Sequence, residues 1–121
     1  IITLTRSILE GFGPGAAQNA AGVYGETTSL NMVASTIKNF SRSGAAAGAW
    51  FASPNVDYKA GINMDGASRI TGNTVSGSDA YGWGIYAPDG SVVLGVNGTT
   101  VTGNGTGNLQ QCATNSTTAC Y

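Results

Sequence analysis

The sequence predicts an all-β solenoid: a right-handed, single-stranded parallel β-helix of about four coils. Three observations carry that expectation. Two short motifs recur along the chain in fixed alternating order. The short β-branched runs are closed by Gly, Asn or Pro-Asp-Gly corners. No stretch repeats apolar residues at the 3.6-residue spacing of a helix.

The first motif is a hydroxyl residue followed by an aliphatic one: Ser7-Ile8, Thr36-Ile37, Thr74-Val75 and Thr100-Val101. Gly or Asn follows each within three residues, at Gly11, Asn39, Gly77 and Gly103. The second motif is glycine, a small or aliphatic residue, then an aromatic: Gly22-Val23-Tyr24, Gly48-Ala49-Trp50 and Gly84-Ile85-Tyr86. The first motif recurs after 29, 38 and 26 residues and the second after 26 and 36. A period in the mid-twenties with one enlarged turn fits both series, and three short strands per unit point to a parallel solenoid. An antiparallel meander is the competing reading, since all-β sandwiches also place short strands close together. Two interleaved motifs in a fixed order favour the solenoid.

Taken in order, Ile1-Ile2-Thr3-Leu4 reads as a strand. The chain opens on Ile rather than Met, which suggests a processed chain or a piece of a longer one. Gly11-Phe12-Gly13-Pro14-Gly15 is a turn-rich loop with no helix pattern after it. The two motifs alternate from Ser7 to Trp50. Between Trp50 and Ile70 about ten extra residues enlarge one coil. The segment Gly82 to Asn104 is the most regular unit, with Gly84-Ile85-Tyr86, Val92-Val93-Leu94 and Thr100-Val101-Thr102 separated by tight corners. Corners of this kind use Gly and Asn, which tolerate positive φ. Stacked coils would align Ile8, Ile37, Val75 and Val101 on one inward line and Val23, Ala49 and Ile85 on another. Ser7, Thr36, Thr74 and Thr100 would form a hydroxyl ladder. Residues 1–104 are therefore read as β-helix coils, and 105–121 as a polar C-terminal cap or tail.

Composition narrows the function classes. The 121 residues carry five Lys and Arg against six Asp and Glu, a net charge of −1. That balance offers no basic patch for phosphate, so nucleic acid is not an expected partner. No 18-residue apolar run exists for a membrane helix, and no signal-peptide pattern is present. There is no His, which excludes His triads and His-ligated zinc. No metal site and no cofactor are expected. Cys112 and Cys120, with seven residues between them, either close a small disulfide loop or are two unrelated thiols.

The Gly-Val-Tyr and Gly-Ile-Tyr strands, followed by Asn-Thr-Val or Thr-Thr-Val with Gly and Asn corners, resemble the pectate-lyase-like right-handed β-helices. Residues 70–77 and 84–103 carry the resemblance best. That family includes polysaccharide lyases, glycoside hydrolases, mannuronan epimerases and bacteriophage tailspikes. The absence of His and the few Lys and Arg depart from lyase sites, and the low charge with abundant Ser, Thr, Asn and Gly looks more like a tailspike segment. The resemblance implies a homotrimer on an extracellular virion tail, or otherwise a secreted protein, that recognises a bacterial surface polysaccharide.

Glycoside hydrolysis, the reaction expected if the chain is an enzyme, needs two carboxyl groups roughly 5–10 Å apart. Asp57 and Asp65 share the enlarged segment and are the best pair by position, with Glu26 at a strand end as a further candidate. Each also has a simpler reading as a turn or solvated carboxylate. Glu10 is expected to approach Lys38 from a neighbouring coil. Tyr58, Trp83, Trp50 and Tyr81 are candidate sugar platforms, and Trp50 also stands in the repeated strand motif. Three functions compete: a carbohydrate-recognising tailspike segment, a purely structural β-helical shaft or trimerisation segment, and an ice-binding solenoid built on a Thr-rich face.

Overall fold

The computed structural model describes residues 1–11, 22–26, 28–42, 46–52, 61–75, 83–86, 92–96, 99–104 and 107–110. Asp57, Tyr58, Tyr81, Cys112 and Cys120 lie outside these residues.

The described chain is all-β. In order, its strands are β1 (Ile2–Thr5), β2 (Ile8–Glu10), β3 (Val23–Glu26), β4 (Ser29–Val33), β5 (Thr36–Lys38), β6 (Ser41–Arg42) and β7 (Ala46–Ala52). Then come β8 (Gly61–Met64), β9 (Arg69–Thr71), β10 (Thr74–Val75), β11 (Trp83–Tyr86), β12 (Val92–Leu94), β13 (Val101–Thr102) and β14 (Gly107–Gln110). No helix occurs among the described residues, and none is long and apolar enough to cross a membrane.

Every strand pair among the described residues is parallel. The first sheet is β1-β4-β8-β12, the second β2-β5-β9-β13 and the third β3-β7-β11-β14. A small sheet pairs β6 with β10. The chain visits the first, second and third sheets in that order and then returns to the first. Parallel neighbours require such a return path, because a tight hairpin joins only antiparallel strands. The meander reading is therefore overturned. The stack continues through β14, inside the segment 105–121 read as a cap or tail.

Strand alternation turns apolar columns of each sheet into the core, two in the first sheet and one in each of the other two. In the first sheet Ile2, Leu30, Ile62 and Val93 are in register, as are Leu4, Met32 and Met64. Leu30, Met32, Ile62 and Met64 are buried. In the third sheet Val23, Ala49, Ile85 and Leu109 are in register. Its first three residues are buried and are those expected from the sequence. Fully burying side chains of this size stabilises by about 1.5–3 kcal/mol each.

The second sheet corrects the expected inward line. Its column is Leu9, Ile37, Ile70 and Val101. Ile8 is 65% exposed and stands in register with Thr36 and Arg69. Val75 belongs to β10, where it pairs with Arg42. Two aliphatics in succession, Ile8-Leu9, leave the strand phase open in the sequence. The corner at Arg6 fixes it, because Ser7 N donates to Ser35 Oγ at 3.1 Å and Thr36 N to Ser7 O at 2.8 Å. Counted to Ile70 rather than Val75, the interval from Trp50 is 70 − 50 = 20 residues. The enlargement on that side is thus about half the one expected, and the column recurs after 28, 33 and 31 residues.

The corners are hydrogen-bonded ladders. Asn39, Gly72 and Gly103, two residues beyond the second-sheet column, have φ of 60°, 65° and 65°. Next to them the buried Asn73 and Asn104 bridge between strand levels. Asn73 Oδ1 accepts from Phe40 N at 3.0 Å, and Asn73 Nδ2 donates to Ile37 O at 3.3 Å and to Asn104 Oδ1 at 2.9 Å. Asn104 Oδ1 also accepts from Asn73 N at 3.1 Å, and Asn104 Nδ2 donates to Ile70 O at 2.9 Å. Buried backbone groups need partners, and these amides supply them where the ladders break. Ser7 of the expected hydroxyl ladder is joined by Ser35 and Ser68 in place of Thr36 and Thr74. Ser35 Oγ and Ser68 Oγ each accept an N–H from the level before, at 3.1 Å.

Candidate functional site

Of the expected carboxylates, Asp65 is fully described, and it is engaged in a corner. Its two oxygens accept from Ala34 N at 3.1 and 3.0 Å, and Oδ1 also accepts from Ser68 Oγ at 2.7 Å. Ala34 has a φ of 45°, which an L residue adopts only under constraint, and the carboxylate clamp supplies one. Ser68 also donates its backbone N–H to Asp65 O at 3.2 Å. The Ser68 hydroxyl bond holds the Asp65 carboxyl below its ordinary value of 3.8; desolvation, the next largest effect, opposes it, and the backbone donors Ala34, Ser68 and Ala67 each lower it further. A carboxyl held ionised by short hydrogen bonds is a poor general acid. Its expected partner Asp57 lies outside the described residues.

Glu26 ends β3, in register with Ala52 of β7. Glu10 meets Lys38 as expected: Oε1 lies 3.4 Å from Nζ and accepts from Asn39 Nδ2 at 3.0 Å. No group of three His, Cys, Asp or Glu side chains among the described residues is arranged to hold a metal ion.

The aromatic candidates divide by position. Trp50 of β7 is in register with Tyr24 of β3 and Tyr86 of β11, and Gln110 of β14 continues the row. Each of the three aromatics follows a buried column residue, Val23, Ala49 or Ile85. Tyr24 is 50% exposed. Trp83 opens β11, in register with Ala46 and Gly107. There β7 holds one residue more than β11, since Trp83 pairs with Ala46 but Ile85 with Ala49. Such a bulge twists the strand next to it.

Sequence reasoning aligned Tyr24, Trp50 and Tyr86 as one motif position but named only Trp50 of the three as a candidate sugar platform. The signal was present as the third position of the Gly-x-aromatic motif. Its value emerges only when the three copies are placed in register, because residues 26 and 36 apart in sequence then stand one strand apart, about 4.8 Å. On the first sheet a second row, Thr3, Asn31 and Asn63, lies between the inward columns. On the second sheet the rows are Ile8, Thr36 and Arg69, and Glu10, Lys38, Thr71 and Thr102.

No protein family, no curated protein and no solved structure matches the chain significantly.

Proposed function

We propose that this chain is a carbohydrate-recognising segment of a right-handed parallel β-helix of about four coils, of the kind found in phage tailspikes. In this reading it acts on an extracellular virion tail as a homotrimer and binds a bacterial surface polysaccharide. Support for the architecture comes from the purely parallel pairing and the repeated order of visits to three sheets. Support for sugar binding rests on one observation above the others: Trp50 shares a register row with Tyr24 and Tyr86. Tyr and Trp combine a large apolar ring with a polar edge, which suits the C–H faces and hydroxyls of sugar rings.

Binding is favoured over hydrolysis, because Asp65, one of the two expected catalytic carboxylates, is committed to the Ala34–Ser68 corner. The same commitment favours the second reading, a structural shaft whose Ser and Asn ladders serve rigidity alone. The ice-binding reading has less support, because the described outward rows mix Asn, Arg, Glu, Lys and Ile with Thr rather than repeating Thr. The test is an array of immobilised bacterial surface polysaccharides probed with the intact protein at its native oligomeric mass. Retention on at least one glycan, with a trimeric mass in solution, is expected. A monomer that binds none of them would leave the shaft or an unrelated role.

A further inference from the structure

The two ends of the second sheet are not alike. Along its inward column Ile37, Ile70 and Val101 have no exposed surface, whereas Leu9, the first member, is only partly buried. On the first sheet Ile2 and Leu4 are likewise partly buried beside the buried Leu30 and Met32. Val101 closes the column among the described strands and is still fully covered, so the open end is the one at β1 and β2.

At that end β2 pairs with β5 alone among the described residues. Its backbone groups divide by alternation. Thr36 N donates to Ser7 O at 2.8 Å, and Gly11 N to Lys38 O at 2.9 Å. Ser7, Leu9 and Gly11 therefore turn towards β5, and the N–H and C=O of Ile8 and Glu10 face the open edge. The exposed side chains along the same stretch are Arg6, Ile8 and Glu10. Ile8 is 65% exposed. Arg6 has no carboxylate partner among the described residues, and Glu10 gives Oε1 to Lys38 and Asn39.

Read about Ile8, this stretch is its own complement: cation, aliphatic, anion becomes anion, aliphatic, cation on reversal. An edge strand with an exposed aliphatic and free backbone groups recruits another strand. A head-to-tail neighbour would need both ends open, and the far end of the column is covered at Val101. Like ends must therefore meet, and a two-fold axis sets a strand against itself, antiparallel.

We propose that a second copy of this chain covers the open end through an antiparallel β2–β2 contact centred on Ile8. Ile8 faces Ile8 of the other copy and exchanges two backbone hydrogen bonds with it, while Arg6 faces Glu10 at both ends of the contact. Apolar and opposite-charge cross-strand pairs are each favourable. The contact is independent of the glycan-binding reading. In a homotrimer it would join two trimers, so its signature is a doubling of mass rather than one particular mass.

Sedimentation equilibrium of the intact chain at matched concentrations tests it, with far-UV circular dichroism to monitor folding. Wild type should have twice the mass of Arg6→Glu, Glu10→Arg and Ile8→Lys, each of which places like charges across the axis and weakens association by about tenfold or more. The double reversal Arg6→Glu with Glu10→Arg should restore the wild-type mass, which a merely structural role for either residue would not do. A second measurement covers variants that fail to fold. With Cys112 and Cys120 replaced by Ser, Ile8→Cys should form an interchain disulfide under mild oxidation, since a hydrogen-bonded antiparallel pair lies about 5.5 Å apart. Thr36→Cys, three strand steps or about 14 Å from its counterpart, should not. Equal masses for wild type and the folded single variants would overturn the proposal, as would a double reversal that stays at half mass or equal cross-linking of Ile8→Cys and Thr36→Cys. A trimeric mass shared by all variants would overturn it and leave the trimer reading standing.

Discussion

Replacing Asn73 should expose how much of the fold depends on its corner amides. The side chain is fully buried and makes three hydrogen bonds. In Asn73→Ala, Phe40 N–H loses its side-chain acceptor and Ile37 O loses a donor. Asn104 Oδ1 keeps the bond from Asn73 N. An orphaned buried group costs about 1–3 kcal/mol, so one stranded donor and one weakened acceptor together give a loss of about 3 kcal/mol. For a chain of this length that lowers the melting temperature by roughly 10 °C. Asn73→Asp makes a sharper comparison. One oxygen still accepts from Phe40 N, but the other now faces Ile37 O and Asn104 Oδ1 without a proton between them. This variant should be least stable at neutral pH and recover on acidification, when the protonated carboxyl donates. Urea unfolding followed by circular dichroism, with an unchanged slope, measures both. A loss below about 0.5 kcal/mol for Asn73→Ala, or no acid recovery for Asn73→Asp, would refute the role assigned to this corner.

Three further perturbations test other contacts. Gly95 has a φ of +74°, and an added Cβ would collide with the Met64 backbone carbonyl. Gly95→Ala should therefore cost about 3 kcal/mol or more or prevent folding, while Gly66→Ala, with nothing near its Cβ, should stay within about 0.5 kcal/mol. Melting curves of the pair decide it. The Asp65 carboxyl is held below its ordinary value of 3.8 in the folded state, so the stability it adds is present above that value and drains away as pH falls through the lowered folded value. Asp65→Asn should flatten that acid limb in urea midpoints taken below pH 4, and an unchanged acid limb would contradict the clamp. The Glu10–Lys38 pair, with both side chains about a third to a half exposed, should contribute less than about 0.5 kcal/mol and fade in 1 M salt. A double-mutant cycle at two salt concentrations measures it.

The fold was legible where the sequence repeats a whole motif. Gly-x-aromatic fixes the inward residue, and Val23, Ala49 and Ile85 stack as the motif implies. At Gly22 an added Cβ would lie 2.5 Å from Ile37 Cγ2 and 2.9 Å from the Gly48 carbonyl oxygen, so this copy of the motif needs its glycine. The hydroxyl-aliphatic motif was less reliable because two residues carry little phase information. Ser7-Ile8 and Thr74-Val75 match it, yet Leu9 and Ile70 take the column. Their phase is set by contacts from other levels, such as Ser7 N to Ser35 Oγ, which no local pattern encodes. Arg6 and Ala34 at φ of 48° and 45° were equally hidden, since neither residue type announces a left-handed corner. For the site, Trp50, Tyr24 and Tyr86 were visible as one position of a repeat, and the strand register makes them adjacent. Asp65 was a catalytic candidate by its place in a long insertion and, more simply, a turn carboxylate, and its bonds to Ala34 and Ser68 put it in a corner.

The central claim is that the chain returns to the same sheets in parallel register. Spin labels at Thr3 and Asn63, both exposed and both in register with Asn31, test it most directly once Cys112 and Cys120 are replaced by Ser. Two strand steps separate the labelled positions, about 10 Å. Strong dipolar broadening in the Thr3–Asn63 pair, and stronger still in Thr3–Asn31, is the predicted result. A Thr3–Asn63 separation beyond about 20 Å, far outside two strand steps, would contradict the parallel stack and the aromatic row built on it.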